Sequence, residues 1–281
     1  HPESGRLLSA NEEGAIFLWD VVTGEELDRF ERPELRVHDL RIHDLTFSPD
    51  GRYFLSASDD QTMAMWELAS GDIVHRFDSP TDTINAVAFA PDGKTMAAGF
   101  GTFRYEIEGD YQDNNIHLWD VATGEELGQF SGHEGPVVSL AFSPDGGQLL
   151  SGSIDNTVRL WDVAGGREIR RFDGHNGGIF SLDFSPDGQY FASGSPDASV
   201  IIWQTESGEL LRRLDDLGGS VSGVAFDPGG ERLWLAGGGQ VRSWEPVIDL
   251  DHLLEWAQAN RYVRDLTCSE QELYQVGDGC S

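Results

Sequence analysis

Short stretches of alternating apolar and polar residues recur along the chain, each closing on a tryptophan: IFLWD, MAMWE, IHLWD, VRLWD, VIIWQ and QVRSW. A period of two predicts half-buried β-strands. The tryptophans Trp19, Trp66, Trp119, Trp161, Trp203 and Trp244 are 47, 53, 42, 42 and 41 residues apart. Eleven residues after each of the first five stands Phe30, Phe77, Phe130, Phe172 or Leu214, ending another short strand behind a TGEE- or SGE-like turn. Upstream, FSPDG (47–51), FAPDG (89–93), FSPDG (142–146), FSPDG (184–188) and FDPGG (226–230) read as strand end, turn and strand start. Proline presets such a turn and glycine relieves it. Each unit is therefore four strands, a to d, joined by hairpins. One such sheet cannot bury both faces, whereas radial stacking of several does, and this predicts an all-β propeller.

The stretch GHEGPVVSLAFSPDGGQLLSGSIDNTVRLWD at 132–162 resembles the WD-repeat family, and the resemblance runs in register over about residues 1–245. It implies four-stranded antiparallel blades and a protein that holds partners rather than transforming a substrate. Counting from the tryptophans, the first repeat lacks strand a and the sixth lacks a convincing strand d. The expectation is a ring of seven blades with roughly 60 further residues upstream, or six with roughly 20. The absent strands would come from the same or another chain.

Serine, histidine and aspartate recur together, which raises nucleophilic catalysis. His38, Ser56 and Asp60 accompany Trp66; His133, Ser151 and Asp155 accompany Trp161; His175, Ser193 and Asp197 accompany Trp203. A catalytic triad is one site with an oxyanion hole and a pocket, and three copies at the repeat period argue for structure instead. The resemblance implies a hydrogen-bonded tetrad in each blade. The third unit has Pro80 and Ala98 at the histidine and serine places, the sixth has Leu217 and Gly238, and the first has Glu13 at the aspartate place. The third and sixth blades are expected to be less rigid, and no catalytic residue, metal or cofactor is expected.

Two units are long. The d–a connection between Phe30 and Phe47 has five extra residues, and the b–c connection of the third unit is extended by FGTFRYEIEGDYQDNN at 100–115. Both connections emerge on one face of an up-and-down blade, and long loops in compact repeats tend to be functional. This face is the expected partner site, with Phe103, Tyr105 and Tyr111 as aromatic contacts. The acidic residues of that loop do not follow the EF-hand spacing. Contact positions implied by the resemblance are Arg41, His43, Asp59, Thr83, Asn85, Gln112, Pro136, Val138, Ile154, Gly178, Phe180, Pro196, Ser220 and Ser222. The positions in blades two and three are polar, and those in blades four and five are mainly apolar.

Charge narrows the partners. The 49 acidic residues face 18 Arg and one Lys, Lys94, for a net charge of -30. A phosphate backbone or an anionic membrane surface needs clustered cations, so neither is expected. No apolar run approaches the roughly 18 residues that cross a bilayer.

After Trp244 the pattern changes. Leu250, Leu253, Leu254 and Ala257 follow Asp249 at helical spacing, and TCSE at 267–270 has capping-box form. The expectation is a propeller over 1–245 and a helical extension over 246–281, docked through Leu253, Leu254, Trp256 and Tyr262. This tail resembles those ending large bacterial WD-repeat proteins, which implies the sensing or scaffolding end of a larger cytoplasmic protein. The alternative is an extracellular assembly subunit whose tail is clasped by a Cys268–Cys280 disulfide.

Overall fold

The structure, a computed structural model, describes residues 1, 4–30, 38, 40–79, 82–102 and 113–245. The extension over 246–281 expected to be helical, with Cys268 and Cys280, lies outside the described residues.

The described residues form six antiparallel sheets. The first holds β1 (Arg6–Ala10), β2 (Ile16–Asp20) and β3 (Glu26–Phe30). The second holds β4 (Ile42–Phe47), β5 (Tyr53–Ser58), β6 (Thr62–Glu67) and β7 (Ile73–Asp78). In the third are β8 (Ile84–Phe89), β9 (Thr95–Phe100), β10 (Ile116–Asp120) and β11 (Glu126–Phe130). The fourth contains β12 (Val137–Phe142), β13 (Gln148–Ser153), β14 (Thr157–Asp162) and β15 (Arg167–Asp173). The fifth contains β16 (Ser181–Phe184), β17 (Tyr190–Gly194), β18 (Val200–Gln204) and β19 (Leu210–Leu214). The sixth holds β20 (Val221–Phe226), β21 (Leu233–Gly237) and β22 (Gln240–Trp244). Every sheet follows chain order, so all connections within a sheet are hairpins. The first sheet has strands b to d and the sixth has a to c. The described residues hold six blades and do not support the expected seventh.

The FSPDG stretches fold as the residue types require. In the second blade Ser48 Oγ donates to Asp50 Oδ1 at 2.6 Å and accepts from Tyr53 N at 2.9 Å, closing the turn. Ser143 with Asp145 and Ser185 with Asp187 repeat the arrangement. Gly51 sits at φ +66°, a left-handed conformation that a Cβ disfavours.

The neighbouring inner strands β4, β8, β12, β16 and β20 pack on one another in sequence. Apolar contact between blades comes from the residue eleven after each tryptophan. Phe30 meets Phe54 and Trp66 of the next blade with ring centroids 4.8 and 6.0 Å apart. Phe77 reaches Trp119 at 5.4 Å, Phe130 stacks on Trp161 at 5.3 Å, and Phe172 reaches Trp203 at 5.5 Å. The repeated Trp-to-Phe spacing thus makes each outer strand cover the tryptophan of its successor. A buried aromatic of this kind contributes about 2–3 kcal/mol. Strand-b glycines let the blades close up: a Cβ on Gly152 would stand 2.7 Å from Ile179 Cγ2, and one on Gly99 would stand 2.6 Å from Val137 Cγ1.

Candidate functional site

The structure brings each Ser-His-Asp-Trp set together. In the fourth blade His133 Nδ1 lies 2.8 Å from Asp155 Oδ2, His133 Nε2 lies 2.7 Å from Ser151 Oγ, and Trp161 Nε1 donates to Ser151 Oγ at 2.8 Å. The second blade gives 3.1, 2.7 and 2.9 Å for His38–Asp60, His38–Ser56 and Trp66–Ser56. The fifth gives 3.1, 2.8 and 2.9 Å for His175–Asp197, His175–Ser193 and Trp203–Ser193. A carboxylate can only accept, so the imidazole donates from Nδ1, and the serine hydroxyl donates to Nε2. Each serine has no exposed surface, and the indole already occupies its oxygen. The hydroxyl has the polarity of a catalytic triad but no route to a substrate.

A fifth member was not read from the sequence. Thr62 Oγ1 donates to Asp60 Oδ1 at 2.7 Å, Thr157 Oγ1 to Asp155 at 2.6 Å, and Ser199 Oγ to Asp197 at 2.6 Å. The signal was the repeated Asp-x-Thr/Ser at DQT, DNT and DAS. Burial pushes the Asp155 carboxyl up, but its bonds to His133, Thr157 and the Glu134 backbone together hold it well below the usual carboxylate range. At Asp197, Ser199, Asn176 N and His175 likewise outweigh burial. Burial is also the larger influence on His175 and lowers its pKa despite Asp197.

The departing blades have local substitutes. In the first, the turn is capped by Asn11 rather than Glu13: Asn11 Oδ1 accepts from Ala15 N at 2.9 Å and from Glu13 N at 3.1 Å. In the third, the imidazole comes from strand c. His117 Nε2 is 2.9 Å from Asp113 Oδ2, and its Nδ1 is 2.8 Å from Glu126 Oε1. Burial lowers the His117 pKa, but the two carboxylates outweigh it and raise the pKa overall. His117 pairs in register with Ala98, the residue at the serine place. Asp82 Oδ2 accepts from Asp113 N at 2.9 Å and ties the d–a connection to the same network.

On the face formed by the b–c and d–a connections, His43 Nε2 lies 2.6 Å from Asp59 Oδ1, and Arg41 is exposed beside them. Phe180 is 41% exposed and Pro196 is exposed, while Val138 and Ile154 are half-buried. A Cβ on Gly178 would meet Ile154 Cδ1 at 2.9 Å, so the connection entering the fifth blade lies directly on Ile154. Pro136 is buried, and Ser220 and Ser222 are exposed. Thr83 and Asn85 are placed beneath the surface, where Asn85 Nδ2 donates to Gly101 O at 2.7 Å. Phe103, Tyr105, Tyr111 and Gln112 lie outside the described residues.

Six antiparallel sheets, each built round a strand-c tryptophan, with an outer-strand phenylalanine set against the next blade's tryptophan in four places, define a repeat β-propeller. The chain belongs to the WD40 family (WD domain, G-beta repeat), which matches residues 31–67, 71–120, 124–162 and 166–204. The matched residues are more than half of the chain. It is similar to the periodic tryptophan protein 2 homolog of Neurospora crassa, 44% identical over 71 residues, which are 25% of this chain and 7% of that protein. Periodic tryptophan protein 2 of Saccharomyces cerevisiae is 30% identical over 154 residues, 54% of this chain and 15% of its own length. Eukaryotic translation initiation factor 3 subunit I of Bombyx mori is 29% identical over 152 residues, 52% of this chain and 44% of that protein. The matched stretch spans less than half of each of these relatives. No helix among the described residues is long and apolar enough to cross a membrane.

Proposed function

We propose that the chain is a non-catalytic scaffold or sensor module, acting in the cytoplasm, that binds a protein partner on the face of its b–c and d–a connections. The observation that carries this reading is the burial of Ser56, Ser151 and Ser193. The residues most suited to acyl chemistry are used to hold the blades. What that face offers instead is a polar half, Arg41 with the His43–Asp59 pair, and an apolar half around Phe180 and Pro196. A partner with an apolar anchor and flanking polar groups fits both halves. The similarity to a translation initiation factor subunit is in keeping with this, since a subunit acts through its neighbours.

The test is affinity capture with quantitative mass spectrometry, comparing the intact protein with Arg41→Glu/Phe180→Glu and with an outer-strand control, Leu127→Glu. The expected outcome is loss of a defined set of captured proteins with the face variant and retention with the control. Identical capture by all three would overturn the assignment of the face. Retention of the same set by the face variant with loss by the control would move the site to the outer strands.

A further inference from the structure

An asparagine followed by glycine is chemically labile. The glycine nitrogen can attack the asparagine side-chain carbonyl, because no Cβ obstructs the approach and the backbone reaches conformations closed to other residues. In a folded chain three conditions favour the attack: an exposed asparagine, a side chain that no hydrogen bond holds, and a following N–H that is also free. Of the seven asparagines in the sequence, Asn176 alone precedes glycine. It stands in the d–a connection entering the fifth blade, between His175 of the tetrad and Gly177. Asn176 is exposed, and among the described residues nothing holds its side chain or Gly177 N. Its own backbone N donates to Asp197 Oδ2 at 2.8 Å.

The other described asparagines are internal comparisons. Asn11 Oδ1 is held by the backbone N–H groups of Glu13 and Ala15. Asn85 is 4% exposed and donates to Gly101 O. After Asn114, the next nitrogen is engaged, with Asn115 N donating to Asp113 Oδ1 at 3.1 Å. Asn115 itself precedes the branched Ile116 in β10. Asn156 is exposed like Asn176, but it precedes the branched Thr157, whose N donates to Asp155 Oδ1 at 3.0 Å. At the place of Asn176 in the fourth blade stands Glu134, which has no amide to lose. The surroundings of Asn176 are tight on the inner side. A Cβ on Gly177 would lie 3.2 Å from Ser195 Oγ, and one on Gly178 would lie 2.9 Å from Ile154 Cδ1. Next, Ile179 N donates to Ser153 O at 2.9 Å and ties the connection to the fourth blade.

We propose that Asn176 is a site of spontaneous deamidation that loosens the seam between the fourth and fifth blades. Gly177 N gives up its proton to solvent and forms a bond to Asn176 Cγ, while the side-chain nitrogen takes up a proton and leaves as ammonia. This closes a succinimide ring. Water then opens the ring at either carbonyl, giving aspartate or isoaspartate. One water is consumed, one ammonia is released, and nothing is oxidised or reduced. Either product puts a new carboxylate on the residue that bonds Asp197, and isoaspartate also adds one atom to the main chain. With Ser195 and Ile154 filling the inner side, the connection must move outward, at the expense of the Asn176–Asp197 and Ile179–Ser153 bonds. The modification requires no partner, so it stands or fails independently of the proposed loop face.

The test is to incubate the folded protein at mildly alkaline pH and map its peptides by mass spectrometry, with fragmentation that separates aspartate from isoaspartate. Asn176 is expected to convert about tenfold or more faster than Asn156, to yield both products, and to convert faster as pH rises. Asn176→Gln, at an exposed position, is expected to leave that peptide unmodified, because glutamine must close a larger ring. Amide exchange of the converted protein is expected to be faster at Ile179 and unchanged at Val221, whose N makes the corresponding bond to Ser195 O at the next seam. Aged Asn176→Gln is expected to keep the original exchange at both. Conversion of Asn176 no faster than that of Asn156, or only in urea-unfolded protein, would overturn the proposal. Unchanged exchange at Ile179 in fully converted protein would overturn the loosening of the seam.

Discussion

Replacing Ser151 by alanine removes one oxygen from the centre of the fourth blade and changes little else. That oxygen accepts the Trp161 indole N–H at 2.8 Å and faces His133 Nε2 at 2.7 Å. Trp161 is 2% exposed and His133 is 8% exposed, so water cannot readily take its place. Each buried group left without a partner costs about 1–3 kcal/mol. Two such groups, with some relief from tilting of the imidazole, give an expected loss of about 3 kcal/mol. Against a total stability of about 5–15 kcal/mol this is large. Urea unfolding followed by tryptophan fluorescence measures the loss. Amide hydrogen exchange in β13 and β14 shows whether it is confined to one blade, as expected where stability is summed over neighbouring repeats. The third blade is the reciprocal case. Ala98 is fully buried at the serine place, and Ala98→Ser is expected to offer Trp119 an acceptor and cost nothing, or to gain up to about 1 kcal/mol. A loss below about 0.5 kcal/mol for Ser151→Ala, or an equal loss for Ala98→Ser, would refute the account of the tetrad.

Other predictions rest on separate features. Asp44 and Asp183 are raised from the ordinary 3.8 to about 6, chiefly by withdrawal from water and despite backbone donors that include Val87 N and Phe226 N. The folded chain therefore holds these protons more tightly between about pH 4 and 6, so their contribution to stability falls as pH rises through that window and stays low above it. Asp44→Asn/Asp183→Asn is expected to raise the melting temperature at pH 8 and to give no gain at pH 4. The upper bound is about 3 kcal/mol per site, because both side chains keep part of their surface open. A gain that is the same at both pH values would contradict the assignment. Ala198 sits at φ +64° in the fifth blade's b–c turn, where the other blades place Gln61 and Asn156. Ala198→Gly is expected to stabilise by about 0.5–1 kcal/mol by chemical denaturation, and a destabilisation would show that the turn stores no strain. Gly152→Ala forces a methyl against Ile179 and its backbone oxygen, with an expected loss of about 1–3 kcal/mol in urea unfolding; a neutral result would mean that the fourth and fifth blades can move apart freely.

Repetition made much of the architecture legible without coordinates. Strand alternation, the Pro-Asp-Gly turns and the Trp-to-Phe spacing are local patterns, and six appearances of the tryptophan-marked strand leave few alternatives for the fold. The Ser-His-Asp-Trp sets were legible for the same reason, since three copies at one period point to a role in every blade that has them. Departures from the repeat were not legible in this way. Asn11 in place of Glu13, and His117 gripped between Asp113 and Glu126, depend on which side chain the folded turn or the adjacent strand brings within reach. Asp44 and Asp183 meet the backbone of residues 43 positions away on the next blade, a relation no local pattern contains. The burial of Thr83 and Asn85, both contact positions implied by the family resemblance, depends on the path taken by the chain around Gly101. Arg159 shows the division most clearly. Its identity and its place two residues before Trp161 are in the sequence, but only the assembled sheet shows that the outer strand brings Glu168 within reach of it. Periodicity determines which residues share a strand and a face, because that follows from backbone geometry alone. Which charges meet is decided by packing between distant segments, and that is set only when the blades come together.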